Sequence, residues 1–306
     1  MTWTSDAIEA AGPRGGHGGR DVRQRTGTTV PAGGAGEQAE EGDGTVRHFT
    51  VRHDGVTIAV SRGGRGRPLV LCPGLNTTQA ELRELTGLLR RDHDVITFDL
   101  RGHGLSSAAD RYAFAGFLGD LAAVLADPGR LGLRSAPVLV GYSLGADLAV
   151  HHASEFPGTF AGLVLIDGAN PLPEPFIAEA DLAEFRALAE DLAKRHEAER
   201  GAPTARTVLL TAQDIFALQL EIDVVRAAIL DRHRRIDRPV SMIMSTSIAG
   251  GGTEGRTQRH NRLWRSGIER LVGEVPHASA TWLDADHRLP FTHAPEVARI
   301  IRDLPG

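Results

Sequence analysis

The chain is nearly without cysteine: Cys72 is the only one among 306 residues. An internal disulfide is therefore excluded, and nothing in the composition points to an oxidising compartment. A charge excess of either sign is missing as well. The net charge of −5 and isoelectric point near 6.2 give no reason to expect nucleic acid or an anionic membrane as a partner. No apolar run approaches the length of a membrane helix, and the N-terminus lacks the apolar core of a secretion signal, so the expected location is the cytoplasm. Clustered His, Cys and Asp residues at metal-ligand spacing are absent, and "GGRGRP" at 63–68 does not match a dinucleotide fingerprint. Neither a metal nor an organic cofactor is expected. What is present, 41% hydrophobic and 24% charged residues, suits a globular protein with a buried core.

Residues 1–44 differ in kind from the rest. They hold eleven glycines and few large apolar side chains, too little apolar surface to offset the chain entropy of ordering them. This segment is read as a disordered tail. From residue 45 the pattern becomes regular. "TVRHFTVR" and "VTIAVSR" alternate apolar and polar residues around "HDG", which predicts a hairpin. "RPLVLCPG", "HDVITFDLRGHG", "APVLVGYS" and "FAGLVLIDG" carry short continuous apolar runs, as strands buried on both faces do. Helical spacing falls between them, in "QAELRELTGLLRR", in 112–126 and in 144–156. Strands alternating with helices predict an α/β fold with a mostly parallel sheet covered on both faces.

The alternation breaks over 169–238. "PLPEP" stops any regular element, Leu182, Phe185, Leu188 and Leu192 then repeat at helical spacing, "GAP" at 201–203 punctuates, and "IFALQLEIDVVRAAIL" starts a longer helical stretch. After this helical insertion the alternation resumes with "RPVSMIMS", a helix over 256–272, the strand "ASATWLDAD" and a last helix in "APEVARIIRDL". The expected organisation is a tail at 1–44, a core formed by 45–168 with 239–306, and a helical lid at 169–238.

The stretch "VLVGYSLGADLAVHHASE" places Ser143 between two glycines, after a buried strand and at the start of a helix. Such a Gly-x-Ser-x-Gly turn lifts the hydroxyl out on a strained bend. Gly141 and Gly145 are required because side chains there would collide with neighbouring strand and helix. The helix that starts at the serine aims its N–H groups and partial positive charge at the reaction centre. A serine hydroxyl is a poor nucleophile near neutral pH and needs a base within hydrogen-bond reach.

Here the chain resembles the α/β-hydrolase family over roughly residues 46 to 306. "LVLCPGL" is similar to the strand and loop that supply half of the oxyanion hole, with Pro73 in place of the usual histidine. "FDLRGHGLSS" matches the loop after the next strand, "GYSLGA" the nucleophile elbow, and "DADHRLPFTHAPEVARII" the segment that carries the catalytic histidine. The insertion falls where the family places its helical lid. The resemblance implies a Ser-His-acid hydrolase of ester or related acyl bonds, with a small-molecule acyl substrate.

Thirteen histidines compete for the base. His287 is favoured, since it follows a strand end and precedes the last helix, at the same sheet edge as Ser143. His293 is expected to open that helix, His103 to bond its own loop, and His151 and His152 to face away from the hydroxyl. The family pattern makes the N–H groups of Leu75 and Leu144 the oxyanion donors, while Asn76 either adds a donor or caps the next helix. The acid is open between two residues. The family's usual position, after "VSMIMS", is followed by "TSIAGGGTEG" without aspartate. Asp167 ends the preceding strand, as the acid does in some family members including several thioesterases. Glu254 lies in the glycine-rich loop. Asp167 is preferred, being separated from Ser143 by one helix and one strand. Serine at the elbow argues against dehalogenase or epoxide hydrolase chemistry, which would use aspartate there. Two alternatives remain: a thioesterase-like acyl-transfer, release or cyclisation enzyme, and a catalytically silent binding protein on the same fold. Phe176, Phe185, Phe216 and Leu220 either line an apolar pocket or form the core of the lid.

Overall fold

The computed structural model describes residues 46–304 apart from 127–130, 199–203 and 253. The glycine-rich tail at 1–44 and the "GAP" punctuation lie outside these residues. The predicted hairpin is formed by β1 (Arg47–His53) and β2 (Val56–Gly63), paired antiparallel. Asp54 and Gly55 turn it with φ of 48° and 72°, the pair of positive values that a type I′ turn demands.

The chain then alternates as its apolar pattern requires. β3 (Arg67–Cys72), α1 (Arg83–Leu89), β4 (His93–Phe98), α2 (Phe114–Leu125), β5 (Val138–Tyr142), α3 (Leu144–Glu155) and β6 (Gly162–Ile166) follow one another. Helices α4 (Leu182–Ala198), α5 (Ala212–Ala227) and α6 (Ile229–His233) interrupt the alternation. It resumes with β7 (Val240–Ser245), α7 (Gly255–Glu274), β8 (Ala278–Leu283), α8 (Leu289–Thr292) and α9 (Ala294–Arg302). One eight-stranded sheet results, in the order β1-β2-β4-β3-β5-β6-β7-β8. Only the β1–β2 and β2–β4 pairings are antiparallel.

Every residue of β5 and of β6 is buried, which is why those strands read as unbroken apolar runs rather than alternations. The core around them gathers Leu69, Leu71, Val140, Val164, Ile166 and Ile243 from the sheet with Leu85, Leu89, Val297 and Ile301 from the flanking helices. Parallel strands present their carboxyl ends on one edge, and β5, β6, β7 and β8 lie side by side there. Residues far apart in sequence thus become neighbours.

Helix α1 is shorter than its periodicity implied. The residues before it form turns, with the Glu81 N–H donating to Thr78 O and the Glu81 carboxylate accepting the Thr78 N–H at 2.8 Å. Asn76 therefore does not cap α1. In the insertion, Phe185, Ala189 and Ala193 form the buried face of α4. Phe176 stacks on the His260 ring (centroids 4.1 Å apart) and meets Trp264 and Phe185 edge-on. Phe176 and Phe185 belong to a packed layer between the insertion and α7. The Arg186 guanidinium carbon lies over the Phe216 ring, 4.6 Å from the ring centroid.

Candidate active site

Ser143 stands between β5 and α3 with φ 51° and ψ −119°. This left-handed backbone costs an L-residue about 1–3 kcal/mol and persists only where surroundings enforce it. The enforcement is visible. The Ser143 N–H donates to Ile166 O at 2.9 Å, and its carbonyl accepts the Ala146 N–H at 2.9 Å. A Cβ on Gly145 would fall on the Cys72 and Pro73 carbonyl oxygens, and one on Gly141 would fall on α3 backbone. Gly74 packs so closely that an added Cβ would meet the Ser143 Cβ at 3.0 Å. Five non-glycine residues among those described have positive φ: Asp54, Asn76, Ser143, Asp167 and Ala169. The last four cluster at this sheet edge, where strain is a pointer to function.

His287 arrives from the segment after β8. Its Nε2 lies 3.0 Å from Ser143 Oγ and its Nδ1 2.9 Å from Asp167 Oδ2. Asp167 follows β6 directly, and its own N–H donates to Ile243 O on β7. Its carboxylate is saturated with donors. Oδ1 accepts the Ser245 N–H (3.0 Å) and the Trp264 Nε1–H (2.9 Å), and Oδ2 accepts the Ser245 hydroxyl (2.7 Å) and His287 Nδ1–H. The Asp167 side chain is 0% exposed while 21% of His287 remains accessible, so the carboxylate is sealed and the imidazole can be reached. Glu254 occupies the exposed N-cap of α7, and the His287 Nδ1 partner is Asp167.

The two N–H groups expected to serve an oxyanion belong to the residues that follow Ser143 and Gly74 in the chain. Leu144 is the first residue of α3, so its N–H has no helical carbonyl to meet. Leu75 follows Gly74, which touches Ser143. Cys72 is buried at the end of β3, and burial pushes its thiol far above the usual range, which removes it as a competing nucleophile.

A family model described as the alpha/beta hydrolase fold matches residues 67–252, more than half of the chain. This chain belongs to the α/β-hydrolase fold family. It is similar to a non-heme haloperoxidase of Rhodococcus erythropolis, 35% identical over 132 residues (40% of this chain, 45% of that protein). It is also similar to a 2-(acetamidomethylene)succinate hydrolase of Mesorhizobium japonicum, 30% identical over 113 residues (37% and 39%). The matched stretches thus span less than half the length of these curated relatives. Among solved structures, a thermophilic esterase from Thermogutta terrifontis aligns with a TM-score of 0.62 at 20% identity, covering 84% of this chain and 97% of its own.

Several residues that hold this α/β-hydrolase site together carried no recognised signal in the sequence. Gly168 follows Asp167, and a Cβ there would fall on the Ser143 carbonyl oxygen; a glycine directly after a strand-end aspartate was the available clue. Ser245, the last residue of β7, supplies two donors to Asp167 and so lets an acid on β6 reach across the neighbouring strand. Tyr142 donates its hydroxyl to the His287 carbonyl at 2.8 Å, with its ring 5.3 Å from the imidazole. Burial, with the nearby Asp167 charge, raises the Tyr142 pKa well above its ordinary value, so the phenol stays a donor.

A buried ion pair adjoins the site. Asp147, one turn after Ser143, is held by Arg226 of α5 through Nε (3.0 Å) and Nη2 (2.8 Å) and accepts the Ala169 N–H. Arg226 also lies over the Trp264 ring, 5.5 Å from its centroid. Burial raises the Asp147 pKa even against the pull of Arg226.

The remaining histidines divide as their surroundings dictate. His293 is the N-cap residue of α9. His151 and His152 are buried on α3, packed against Phe114 and Phe156. His103 bonds its own loop through Arg101 O at 2.9 Å and reaches one loop further, to Asn76.

Proposed function

We propose that this protein is a serine-dependent acyl hydrolase, cleaving an ester or thioester through an acyl-enzyme on Ser143. The observation that carries this reading is the unbroken hydrogen-bond chain from Ser143 Oγ through His287 to Asp167, set at a strained strand–helix turn. His287 Nε2 is the general base. It takes the hydroxyl proton as Oγ attacks the carbonyl carbon, then returns it to the departing alkoxide or thiolate. The second half runs in reverse: water gives a proton to Nε2, attacks the acyl carbon, and Ser143 leaves with that proton. Asp167 keeps His287 in the Nδ1–H tautomer and stabilises the imidazolium that forms between the steps. The Leu75 and Leu144 N–H groups are the oxyanion donors.

Placing the acid on β6 fits this role because its four acceptor positions are filled by donors alone. A carboxylate so surrounded is held in one orientation toward the imidazole. The helices between β6 and β7 serve as the lid, and the Arg226–Asp147 pair anchors α5 beside the nucleophile helix. The relatives support a hydrolase, and the serine at 143 favours acyl transfer over chemistry that begins from an elbow carboxylate.

The test is covalent labelling with a fluorophosphonate, combined with turnover of p-nitrophenyl acetate and butyrate. Wild-type protein should label at Ser143 and hydrolyse at least one ester. Ser143→Ala should fold normally and do neither. A folded wild-type protein that does not label refutes an activated serine and favours a binding protein on this fold. Turnover that survives Ser143→Ala places the chemistry elsewhere.

A further inference from the structure

The loop that carries Leu75 is an unusual turn. Gly74 O accepts the Thr77 N–H at 3.2 Å, and Asn76, at the third position, has φ 60° while Leu75 does not have positive φ. Those features describe a type II turn, whose third residue is ordinarily glycine or asparagine. Asn76 tolerates that conformation, and a flip of the Leu75–Asn76 peptide would convert the turn to type I. A partner on the central amide decides between the two forms. The Asn76 N–H donates to His103 Nε2 at 3.1 Å, and this is the N–H that such a flip would turn away.

His103 is built for that task. It is 1% exposed. Its Nδ1 faces the Arg101 carbonyl, which can only accept, and its Nε2 faces an amide N–H, which can only donate. The two partners fix one neutral tautomer, with the proton on Nδ1. The flanking backbone is clamped by the insertion: Gly104 N–H donates to Thr207 O at 2.7 Å and Leu209 N–H to Gly102 O at 2.8 Å. The imidazole therefore projects from a stretch pinned on either side.

We infer that His103 is a positioning residue for the loop after β3: by accepting the Asn76 N–H it holds the Leu75–Asn76 peptide, and with it the turn that carries Leu75, whose N–H the serine-hydrolase reading makes an oxyanion donor. The inference rests on the serine-hydrolase reading. It goes beyond a scaffold role within the "RGHG" loop, because the critical bond leaves that loop. Burial depresses the His103 pKa to about 4, in keeping with a ring that serves as an acceptor at neutral pH.

Two substitutions separate the roles. An asparagine side chain reaches the Nδ1 position and can still donate to Arg101 O, but falls short of Asn76. A glutamine reaches the Nε2 position and can accept from Asn76, but gives up the Arg101 bond. Asp99 independently ties the two loops, accepting the Gln79 N–H at 2.8 Å and the Leu105 N–H at 3.0 Å, so both variants should fold. Ser143 labelling by the fluorophosphonate, p-nitrophenyl acetate kinetics and the melting temperature are measured for each. His103→Asn should lower kcat and the labelling rate by about 10²-fold, the scale of a donor misplaced by about 1 Å, with KM changed only severalfold. His103→Gln should recover most of that loss. An active His103→Asn, or equal impairment of both variants at native melting temperature, overturns the inference. If His103→Asn does not fold, His103→Gln decides: near-normal labelling supports the Asn76 bond as the one that matters, and strong impairment refutes it. A wild-type protein that does not label removes the serine reading itself, before the variants are compared, and the inference with it.

Discussion

Asp167→Asn should abolish the base without unfolding the protein, and the donor inventory shows why. The native carboxylate meets four donors: the Ser245 N–H and Trp264 Nε1–H at Oδ1, and the Ser245 hydroxyl and His287 Nδ1–H at Oδ2. An amide NH₂ cannot take the Oδ1 side, because both partners there are N–H groups that cannot become acceptors. It must take the Oδ2 side. There the Ser245 hydroxyl can rotate to accept, and His287 can satisfy the second N–H only by moving its own proton from Nδ1 to Nε2. Nε2 then points a proton at Ser143 Oγ and can no longer remove one. The charge that stabilises the imidazolium is lost in the same step. In a serine-protease triad this exchange lowers turnover by about 10⁴ with the geometry intact, and the same size is expected here. The stability cost should be small, about 1–3 kcal/mol, since every polar atom keeps a partner. Ester hydrolysis and fluorophosphonate labelling measure the first quantity and thermal unfolding the second. A folded Asp167→Asn enzyme within tenfold of wild type would refute the reasoning. Glu254→Gln is the control and should be close to wild type, because Glu254 is exposed at the start of α7.

Two further outcomes concern stability. Five buried histidines, His103, His151, His152, His233 and His260, are depressed by burial from 6.5 to about 4, so the unfolded chain binds their protons first and stability falls as pH drops from about 6.5 toward 4. All five act in the same direction, each costing stability as the pH falls through that window. Asp99 and Asp147, whose burial raises their pKa, oppose the trend at its acid end; urea unfolding followed by circular dichroism at stepped pH should show stability falling as the pH drops from about 6.5 toward 4, and a stability that is unchanged or rising over that window would contradict the assignment. Arg226→Met should cost about 3–5 kcal/mol by stranding the buried Asp147 charge, whereas adding Asp147→Leu should restore much of it; fully additive losses in urea unfolding would show that the pair does not act as a unit.

The local features of this fold were legible in the chain. Whether a strand is buried on both faces shows as an unbroken apolar run, as in β3, β5 and β6, and helix faces show as apolar spacing, because each reports a residue's own burial. The turn at Ser143 was legible for a similar reason: its glycines answer to contacts within a few residues or with the adjacent strand, as when Gly145 packs on Cys72 O. Which loops converge is a different kind of fact. Asp167 and Glu254 were both chemically able to face His287, and the choice falls to strand order, which sets β7 beside β6 and brings Ser245 and Trp264, 78 and 97 residues away in sequence, onto the Asp167 carboxylate. The partners of Tyr142 and the second bond of His103 were hidden for the same reason. A side chain's chemistry is written in its own position, but its hydrogen-bond partner is selected by the packing of elements that the sequence lists far apart.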